Sequence, residues 1–474
     1  MFVAVQGLKS DGHDFIAEAI SRGAKFIVHE KDYPPPEGVT SLRVFNTRRI
    51  LGSLGKNFYG NPSSRLCLLG VTGTNGKTTV TYLLESILKA AGFCVGVLGT
   101  VNYRFNEKVL PAPNTTPESY ELQRILRKME DDGVTHVVME VSSHAVDLKR
   151  IDDCSFNMGI FTNLTQDHLD YHVTMENYFQ AKKRFFDEIL PAGGKQHEYS
   201  MIVNGDDTWG QRLLTEAGTK LPARTFGIEN TCDMTAEGSV FSLDGIHADI
   251  NTGRSRFSIS SPLIGKFNLY NILAAAAAAV SLNIPEKCIQ EGIENLKNVP
   301  GRLDKVSDAG QPGIFVDYAH TDDALRRVLQ NLSAFKMGKL ITVFGCGGDR
   351  DRGKRPLMGN AATTLSDLAI VTSDNPRTED PLSIIREIET GIQKDVVKQF
   401  LPKELNKNTH ERGYVVIPDR KQAIETAIAL AEKKDIVLIA GKGHEDYQII
   451  GTKKTPFDDR QVAKEAMMKK HGEA

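Results

Sequence analysis

The sequence predicts an α/β fold built as three domains. Apolar, strand-like runs alternate with longer helical stretches, which is typical of βαβ units on a parallel sheet. The 474 residues suit about three domains, each large enough to bury its own core. Turn-like sequences at 60–64 and 298–301 interrupt the alternation. We therefore expect domains at 1–64, 65–300 and 301–474.

The first domain is predicted to be a small α/β unit and the second a doubly wound parallel sheet. In the first, the predicted elements are a strand over FVAV, a helix over about 14–21, a strand in KFIVHE and a helix ending near Tyr59. In the second, they are LCLLGV, a helix from about Lys77 to Ala91, VGVLG, a helix after Pro117, and THVVMEV. Residues 231–262 predict an antiparallel patch on that sheet, and the alanine run 274–279 predicts a close-packed core helix.

Four apolar runs in the third domain predict a second doubly wound sheet, of the Rossmann-like kind. They are IFVDYA, LITVFG, LAIVTS and DIVLIAG, and helical sequence alternates with them. No internal repeat or low-complexity tract interrupts the chain.

The composition excludes several functional classes. Hydrophobic residues make up 40% and charged residues 25%, as in ordinary globular proteins. Lys and Arg total 58 against 60 for Asp and Glu, so no basic surface for nucleic acid is indicated. No apolar stretch is long enough to insert into a membrane. Six widely spaced cysteines predict free thiols in the cytoplasm rather than disulfides or a zinc site; they are Cys67, Cys94, Cys154, Cys232, Cys288 and Cys346.

A glycine-rich loop between an apolar strand and a helix predicts an ATP site. The loop is GVTGTNGKTT at 70–79, and backbone N–H groups at a helix start, together with a lysine, bind polyphosphate. Val71 stands where the strict GxxxxGK[ST] pattern needs glycine, so the match is to a shorter GTNGKT form. The alternative is a glycine turn that merely precedes a lysine. The predicted ATP ligands are Gly73, Thr74, Asn75, Gly76, Lys77, Thr78 and Thr79, with the Thr78 hydroxyl on Mg²⁺.

Seven motifs occur in one order along the chain. They are TGTNGKTT at 72–79, NTTP at 114–117, MEVSSH at 139–144, TNLTQDHLDYH at 162–172 with QAK at 180–182, DYAHT at 317–321, GCGGDRDRGKRP at 345–356 and DNPRTEDP at 374–381. Together they resemble the Mur ligases of peptidoglycan synthesis, over nearly the whole chain. The last motif resembles members that use ATP to add meso-diaminopimelate to UDP-N-acetylmuramoyl-L-alanyl-D-glutamate. The resemblance implies an N-terminal UDP-binding domain, a central P-loop ATPase domain and a C-terminal domain for the amino acid.

The resemblance also implies the catalytic residues. The family activates a carboxylate as an acyl phosphate, which an amine then attacks, releasing phosphate and ADP. Lys77, Glu140, His168 and Lys182 match its catalytic positions. Thr78, Glu140, His168 and Lys182 match its magnesium ligands, Lys182 after reaction with CO₂ to the carbamate (N6-carboxylysine). A carbamate supplies the anionic oxygen that Mg²⁺ prefers, whereas an ammonium would repel the ion. The alternatives are a solvated strand-end Glu140, a structural His168 and a solvated Lys182.

Substrate-binding positions follow from the same resemblance. Those for the UDP-linked muramoyl dipeptide are Leu8, Lys9, Ser10, Asn114, Thr115, Thr116, Ser142 and Arg150. Leu148 stands where some members have glutamine. The chain begins later than the resemblance implies, so we expect the UDP-binding domain to be shortened at its start. Further ATP contacts are expected from Asn268, Asn271, Arg302, Asp317 and His320.

The DNPR motif predicts the specificity for the incoming amino acid. Diaminopimelate carries a second carboxylate that lysine lacks, and a guanidinium recognises a carboxylate through two parallel hydrogen bonds. Arg377 supplies that guanidinium, unless it only caps its loop by pairing with Glu379 or Asp380. The resemblance implies a diaminopimelate site of Arg350, Asp374, Asn375, Pro376, Arg377, Gly441 and Glu445. Asp322 replaces a usual proline, which we expect to loosen the start of the next helix.

Two rival functions remain open at this point. Folylpolyglutamate synthetases share the phosphate loop and the modified lysine, but the NTT and DNPR motifs favour the muramoyl substrate. A catalytically silent relative could serve as a scaffold, yet it would be free to lose Lys77, Glu140, His168, Lys182 and Arg377. We therefore expect a cytoplasmic, monomeric ligase of small molecules.

Overall fold

A computed structural model describes residues 1–7, 10–195, 200–217, 221–308, 310–393, 395–406 and 411–472. Contacts group the chain into two compact units. The first is Met1–Glu237 with Ile250–Phe257 and Tyr270–Ile293, and the second is Gly238–Asp249 with Ser258–Leu269 and Glu294–Ala474. The first unit holds the predicted N-terminal region with most of the predicted central region, whereas 238–249, 258–269 and 294–300 belong to the second, so the three-domain division remains a prediction. Within the described residues, no helix is both long enough and apolar enough to span a bilayer.

The N-terminal region is a small parallel sheet with helices. Its elements are β1 (Phe2–Val3), a 3-10 helix (Gly12–Phe15), α1 (Ile16–Ser21), β2 (Phe26–His29), β3 (Thr40–Arg43), α2 (Thr47–Phe58) and a second 3-10 helix (Pro62–Ser64). The strand order is β1-β2-β3, and Ala4 and Ile27 belong to its small core. The predicted helical stretch at 14–21 is confirmed as the end of the first 3-10 helix followed by α1, and Asp11 caps its start by accepting a hydrogen bond from His13 N.

The next region contributes the strands of the larger sheet. Its first half comprises β4 (Cys67–Thr72), α3 (Lys77–Ala90), β5 (Val95–Leu98), β6 (Tyr103–Phe105), β7 (Lys108–Leu110), α4 (Ser119–Asp131), β8 (His136–Glu140), α5 (Ser143–Asp147) and β9 (Met158–Phe161). Its second half comprises α6 (Leu169–His172), α7 (Met175–Arg184), a π-helical turn (Phe185–Ile189), α8 (Leu190–Ala192), β10 (Met201–Asn204), α9 (Thr208–Ala217), β11 (Ala223–Gly227), β12 (Met234–Ser242), β13 (Gly245–Asn251), β14 (Arg256–Ser261), α10 (Lys266–Ser281) and α11 (Glu286–Asn295).

Eleven of these strands form one sheet, in the order β14-β13-β12-β11-β10-β9-β4-β8-β5-β6-β7. Neighbours from β12 to β5 run parallel, which confirms the predicted parallel sheet. Strands β5, β9 and β10 are buried along their whole length, as expected where helices cover both faces. The predicted patch at 231–262 forms β12 to β14 at one end. A two-residue connection joins β12 to β13, which requires them to run antiparallel.

Two other features of this sheet bear on the sequence analysis. The alanine run of α10 is fully buried from Ala274 to Ala279, as predicted for a core helix. The antiparallel pairs β5–β6 and β6–β7 at the other end of the sheet were not predicted. Strands β6 and β7 have three residues each, too few for the period-two pattern that identifies a strand.

The second unit carries a separate sheet. Its elements from 301 onward are β15 (Asp304–Lys305), β16 (Gly313–Asp317), α12 (Asp322–Ser333), β17 (Leu340–Phe344), α13 (Lys354–Leu365), β18 (Leu368–Val371), α14 (Pro381–Glu389), β19 (Lys398–Phe400), a 3-10 helix (Pro402–Glu404), β20 (Gly413–Val416), α15 (Arg420–Leu430), β21 (Ile436–Ala440), β22 (Tyr447–Ile450), β23 (Lys453–Pro456) and α16 (Asp459–His471). Helix α12 begins at Asp322 with Thr321 as its cap: the Thr321 side chain accepts a hydrogen bond from Ala324 N.

Seven strands of this unit form a sheet in the order β15-β16-β21-β17-β18-β20-β19. All neighbours are parallel except β15 and β16, so the predicted Rossmann-like arrangement is confirmed. Alternate residues of each strand enter two separate cores: Phe315 packs on one face, and Ile314 and Val316 pack on the other. Strands β22 and β23 form a separate antiparallel hairpin.

Candidate active site

Four functional loops of the first unit leave the same edge of its sheet. Strands β5, β8, β4 and β9 are consecutive neighbours, and parallel strands present their carboxyl ends together. The loop after β4 carries TGTNGKTT, that after β8 carries VSSH, and that after β9 carries TNLTQDH. The loop after β5 carries Thr100, which sequence reasoning missed.

The phosphate loop has the backbone that the sequence requires. Gly73 and Gly76 adopt φ values of 144° and 88°, a region that favours glycine. A Cβ on Gly73 would lie 1.9 Å from Thr162 Oγ1, and one on Gly76 would lie 2.3 Å from Asn271 Oδ1. The loop is therefore held close to its neighbours and leaves no room for side chains at either glycine.

Side chains around the loop fix its polar groups. Asn75 N donates to Asn163 Oδ1 at 3.0 Å, and Thr162 Oγ1 donates to Asn75 O at 2.7 Å. Lys77 Nζ donates to the carbonyls of Gly73 and Thr74, at 3.0 and 2.8 Å. The lysine thus lies over its own loop. Thr79, the last predicted residue here, is buried.

Glu140 is buried at the end of β8 and accepts three hydrogen bonds. Its Oε1 accepts hydrogen bonds from Thr78 Oγ1 at 3.0 Å and from Thr100 N at 2.9 Å, and its Oε2 accepts one from Thr100 Oγ1 at 2.9 Å. This carboxylate is not the solvated strand cap of the alternative interpretation. Thr100 Oγ1 also lies 3.1 Å from Thr115 Oγ1, which links the predicted metal ligands Thr78 and Glu140 to the predicted substrate loop.

Lys182 is buried on α7, with a side chain 1% exposed. Its Nζ donates to Gly73 O at 3.0 Å and to Thr72 Oγ1 at 3.4 Å, and lies 4.8 Å from the centre of the Tyr178 ring. Burial and the nearby Lys77 charge hold the pKa of Lys182 well below its ordinary value, against an opposing effect of Asp167. The interpretation of Lys182 as a solvated lysine is therefore wrong.

His168 lies in a cluster of aromatic rings. Its backbone is left-handed, with φ 54°, and its ring centre lies 5.0 Å from that of His144. The His168 side chain is 44% exposed, and partial desolvation, with the charges of Lys77 and Lys182, lowers its pKa against an opposing effect of Asp167. A neutral imidazole is the form that can act as a ligand.

The predicted dipeptide loop packs against the end of β8. Thr116 Oγ1 donates to Glu140 O at 2.8 Å, and Ser142 N donates to Thr116 Oγ1 at 3.2 Å. Arg150 Nη1 donates to Thr116 O at 3.1 Å. Asn114 is exposed, and its carbonyl accepts a hydrogen bond from the Tyr103 hydroxyl. The structure therefore gathers the predicted residues of this loop.

Glu118 joins this loop to the N-terminal region, a connection that sequence reasoning missed. Its carboxylate lies 2.6 Å from Arg150 Nη2 and 3.8 Å from Arg48 Nη1. Arg48 Nη2 in turn donates to Gln6 O at 2.9 Å. Ser10 is exposed and its carbonyl accepts Gly7 N. The remaining predicted UDP contacts, Leu8 and Lys9, lie outside the described residues.

In the second unit, DYAHT follows β16 and packs beside PGR. Asp317 accepts hydrogen bonds from Leu303 N and Ala319 N, at 2.7 and 2.8 Å, and burial raises its pKa. The Arg302 guanidinium lies 4.9 Å from the centre of the Tyr318 ring. His320 is exposed. Asn268, on α10, is buried and donates to Ile264 O at 2.9 Å.

The DNPR and GKGHE segments meet at the edge of the second sheet. They follow β18 and β21, and GCGGDR follows β17, which lies between those two strands. Asn375 Nδ2 donates to Glu445 Oε2 at 2.9 Å. Gly441 has φ 117°, and a Cβ there would lie 2.5 Å from the buried Asp374 carboxylate. Lys442, which sequence reasoning did not select, is fully buried between these residues.

Arg377 and Arg350 converge on Gly347. A Cβ on that glycine would lie 2.9 Å from Arg377 Nη1 and 3.8 Å from Arg350 Cγ. Arg377 Nη1 donates to Gly348 O at 2.6 Å, and the preceding Pro376 is buried. Arg350 is exposed.

The alternative interpretation of Arg377 as a loop cap is not what the structure contains. Glu379 pairs with Arg352 and Arg355, and Asp380 pairs with Arg386. Arg377 thus forms no ion pair with either acid in the described chain, and its Nη1 donates to Gly348 O instead.

Comparisons with known proteins agree with these motifs. The Mur ligase middle domain matches residues 71–279, and the Mur ligase glutamate ligase domain matches 301–443. The chain is 48% identical over 461 residues to a UDP-N-acetylmuramoyl-L-alanyl-D-glutamate--2,6-diaminopimelate ligase of Geobacter metallireducens, covering 97% of this chain and 90% of the relative. A solved structure of a protein of that name is 32% identical to this chain, with a TM-score of 0.69, and the match covers 99% of this chain and 92% of the chain in that structure.

A folylpolyglutamate synthase of Mycobacterium tuberculosis, complexed with ADP and AMPPCP, shares the fold at a TM-score of 0.66. It covers 89% of this chain and 94% of its own, but at 16% identity it supports the fold alone. The two domain matches and the 48% identity over nearly the full length decide the family. The chain belongs to the Mur ligase family.

Proposed function

We propose that this chain uses ATP to join meso-2,6-diaminopimelate to UDP-N-acetylmuramoyl-L-alanyl-D-glutamate, releasing ADP and phosphate. The product serves peptidoglycan precursor synthesis. The observation that carries the proposal is the amino-acid site of the second unit. There Arg377 forms no salt bridge with Glu379 or Asp380 in the described chain and donates to Gly348 O, and its neighbour in the same motif, Asn375, donates to Glu445 Oε2. Curated relatives at 48% identity bear the name of this reaction.

The phosphate loop is proposed to bind the ATP phosphates. Backbone N–H groups at the start of α3 face the anion, and the helix dipole favours negative charge there. Lys77, which lies over the loop carbonyls of Gly73 and Thr74, would turn to the phosphates and neutralise charge on the transferred group. We assign further contacts with the nucleotide to Asn268, Asn271, Arg302, Asp317 and His320.

Thr78 and Glu140 suit Mg²⁺, because a hydroxyl and a carboxylate oxygen already lie 3.0 Å apart in a buried position. Bound Mg²⁺ would neutralise the phosphate charge that builds up during transfer. His168 is proposed as a further ligand in its neutral form. The described residues contain no cluster of three or more His, Cys, Asp and Glu side chains suited to a metal, and we propose one further ligand of another kind.

Lys182 is proposed to supply that ligand as a carbamate. Its amine is buried and its pKa is lowered by burial and by Lys77, so the neutral form that attacks CO₂ is favoured. The nitrogen lone pair forms the bond to the CO₂ carbon as one C–O π bond opens onto its oxygen, and the nitrogen then loses a proton to water. The resulting anion lies beside the positive charge of Lys77, which stabilises it.

The acceptor carboxylate is proposed to lie near the loop of Asn114, Thr115 and Thr116, held with Ser142 and Arg150. The γ-phosphoryl group moves from ATP to this carboxylate, giving an acyl phosphate and ADP. The uncharged amine of diaminopimelate then attacks the acyl carbon, and phosphate leaves as the amide forms. Arg377 is proposed to bind the carboxylate at the far end of diaminopimelate, with Arg350, Asp374 and Gly441 around it.

The near-neutral charge and the six cysteines, all free thiols, support a cytoplasmic place for this reaction. We propose that the chain acts as a monomer on small molecules and binds no nucleic acid. Sedimentation at micromolar concentration tests the monomer: a stable dimer would contradict it.

Phosphate release tests the proposed function. ATP and the UDP-muramoyl dipeptide are supplied with meso-diaminopimelate, with L-lysine, or with no amino acid. We expect release with diaminopimelate alone. Release with lysine instead would keep the ligase and overturn the role given to Arg377. No release with either would favour a silent scaffold, and release with a folate and glutamate would favour a folylpolyglutamate synthetase.

A further inference from the structure

Lys442 is a fully buried lysine whose partners are two residues of the amino-acid site. Its Nζ lies 3.2 Å from Glu445 Oε2 and 3.3 Å from Asn375 Oδ1, and its side chain is 0% exposed. Asn375 Nδ2 donates to the same Glu445 oxygen at 2.9 Å. The three side chains form a closed triangle at the end of β21.

This triangle gives the Glu445 carboxylate one orientation. Oε2 receives both donors, whereas no described donor reaches Oε1. Glu445 N also donates to Lys442 O at 3.0 Å, so a backbone turn fixes the distance between the two side chains. Tyr447 closes one side, with its ring centre 5.4 Å from Lys442 Nζ.

Stability alone gives little reason to place a lysine here. The desolvation of a buried ion pair usually offsets much of its attraction, and apolar residues of similar volume often serve as well. Both partners of Lys442 are instead residues that the proposed reaction needs. An orientating role therefore explains the buried ammonium better than a stabilising one.

We propose that Lys442 is a positioning residue: its ammonium holds Glu445 Oε2, so that Oε1 receives the ammonium group of the amino acid that does not react. This inference rests on the proposed function. The reacting nitrogen must lose its proton to attack, so a fixed carboxylate suits the other nitrogen of diaminopimelate. Arg377 binds carboxylate while Glu445 binds ammonium, and the site recognises both charges at the distal end of the substrate.

A double-mutant cycle on the full chain tests this inference. The variants are Lys442→Met, Glu445→Gln and the pair, with Lys454→Met as the matched control, because Lys454 contacts the same Tyr447 ring from the exposed hairpin. We expect Lys442→Met to raise KM for diaminopimelate about tenfold or more, with KM for ATP within about twofold. The double variant should be no worse than the worse single variant, since coupled residues are not additive. The control should match the wild type.

A second substrate separates orientation from general damage. With 2-aminopimelate, which keeps both carboxylates and lacks the distal ammonium, Lys442→Met should have little effect on KM. Any of three results would overturn the inference. Lys442→Met could leave KM for diaminopimelate unchanged, the KM effects of the two single variants could multiply in the double variant, or Lys442→Met could raise KM equally for both substrates. If Lys442→Met does not fold, Lys442→Gln replaces it.

The wild-type reaction separates this inference from the proposed function. Wild-type turnover of diaminopimelate is required by the function and not by Lys442. If the wild type uses another diamino acid, the cycle is run with that substrate and still tests whether Lys442 acts through Glu445.

Discussion

Lys77 and Lys182 donate hydrogen bonds to the same backbone oxygen, each Nζ lying 3.0 Å from the carbonyl of Gly73. Two cations on one acceptor repel each other, and Lys182 is the more buried. Its pKa is accordingly held well below the ordinary value, first by burial and then by Lys77. This relationship favours the neutral amine that carbamate formation requires.

Lys182→Arg should abolish turnover. Arginine keeps a positive charge and cannot form the same carbamate, so the proposed metal ligand is lost. We expect kcat to fall by at least about a hundredfold, the scale for an interaction made in the transition state. Lys183→Arg is the control, because Lys183, next to Lys182 on α7, instead pairs with Asp187 of the following π-helical turn. Full activity of Lys182→Arg, or a carbon-13 spectrum without a carbamate signal under labelled CO₂, would contradict the assignment.

Arg377→Ala should raise KM for diaminopimelate and leave KM for ATP nearly unchanged. A hydrogen bond between charged groups contributes about 1.5–3 kcal/mol, so the rise should be roughly tenfold to a hundredfold. Preference over L-lysine should fall with it, because lysine leaves the guanidinium unpaired. Arg386→Ala, on the exposed face of α14, is the control. Equal rises in both KM values would remove Arg377 from the amino-acid site.

The sequence could predict which segments meet because the motifs follow apolar strands. Four of the motifs begin where a parallel strand ends, and the carboxyl ends of such strands share an edge. They are TGTNGKTT, MEVSSH, DYAHT and DNPR, whereas NTTP does not follow this rule. Strand order decides which loops become neighbours, and the chain order does not show it. Thr100 illustrates the limit: it follows β5, which pairs with β8, and only that pairing brings it to Glu140.

Lys442 was missed for another physical reason. Lysine is almost never fully buried unless paired, so a lysine between two glycines normally predicts a solvated turn. Its partner Asn375 lies on a distant strand end, and no local pattern announces the pair. The Glu118 bridge between Arg150 and Arg48 is similar, since the two arginines are far apart in sequence.

Glu379 should make the GCGGDR loop sensitive to acid. Hydrogen bonds from Arg355 and from Asp349 N hold its pKa at about 2, below the ordinary 4.5. A lowered carboxyl pKa adds stability that is fully present above the unfolded value and is lost as pH falls through the folded value. The wild type should therefore lose stability between about pH 4.5 and pH 2.

Glu379→Gln should flatten that dependence. At pH 7 it should lower the free energy of unfolding by about 2 kcal/mol, the scale for a hydrogen bond to a charged group. Urea unfolding at a series of pH values measures both effects, with Glu411→Gln, an acid paired on the exposed surface, as the control. If wild type and Glu379→Gln lose stability in parallel below pH 4.5, the acid response belongs to other groups.

Asp459→Ala should destabilise the second unit more than any surface change. Arg420 and Asp459 are both 0% exposed, with Arg420 Nη2 lying 2.7 Å from Asp459 Oδ2, and removing one partner leaves a buried, uncompensated guanidinium. Breaking such a pair costs about 3–5 kcal/mol, whereas replacing both partners by apolar residues is often neutral. Urea unfolding of Asp459→Ala and of the double variant Arg420→Met with Asp459→Leu measures this difference in the free energy of unfolding. The control is Lys469→Ala, which removes an exposed ion pair with Glu425 and should change the free energy of unfolding by less than about 0.5 kcal/mol. The double variant could lose as much free energy of unfolding as Asp459→Ala. That result would mean that Arg420 is needed for its hydrogen bond to Ala440 O rather than to balance the charge of Asp459.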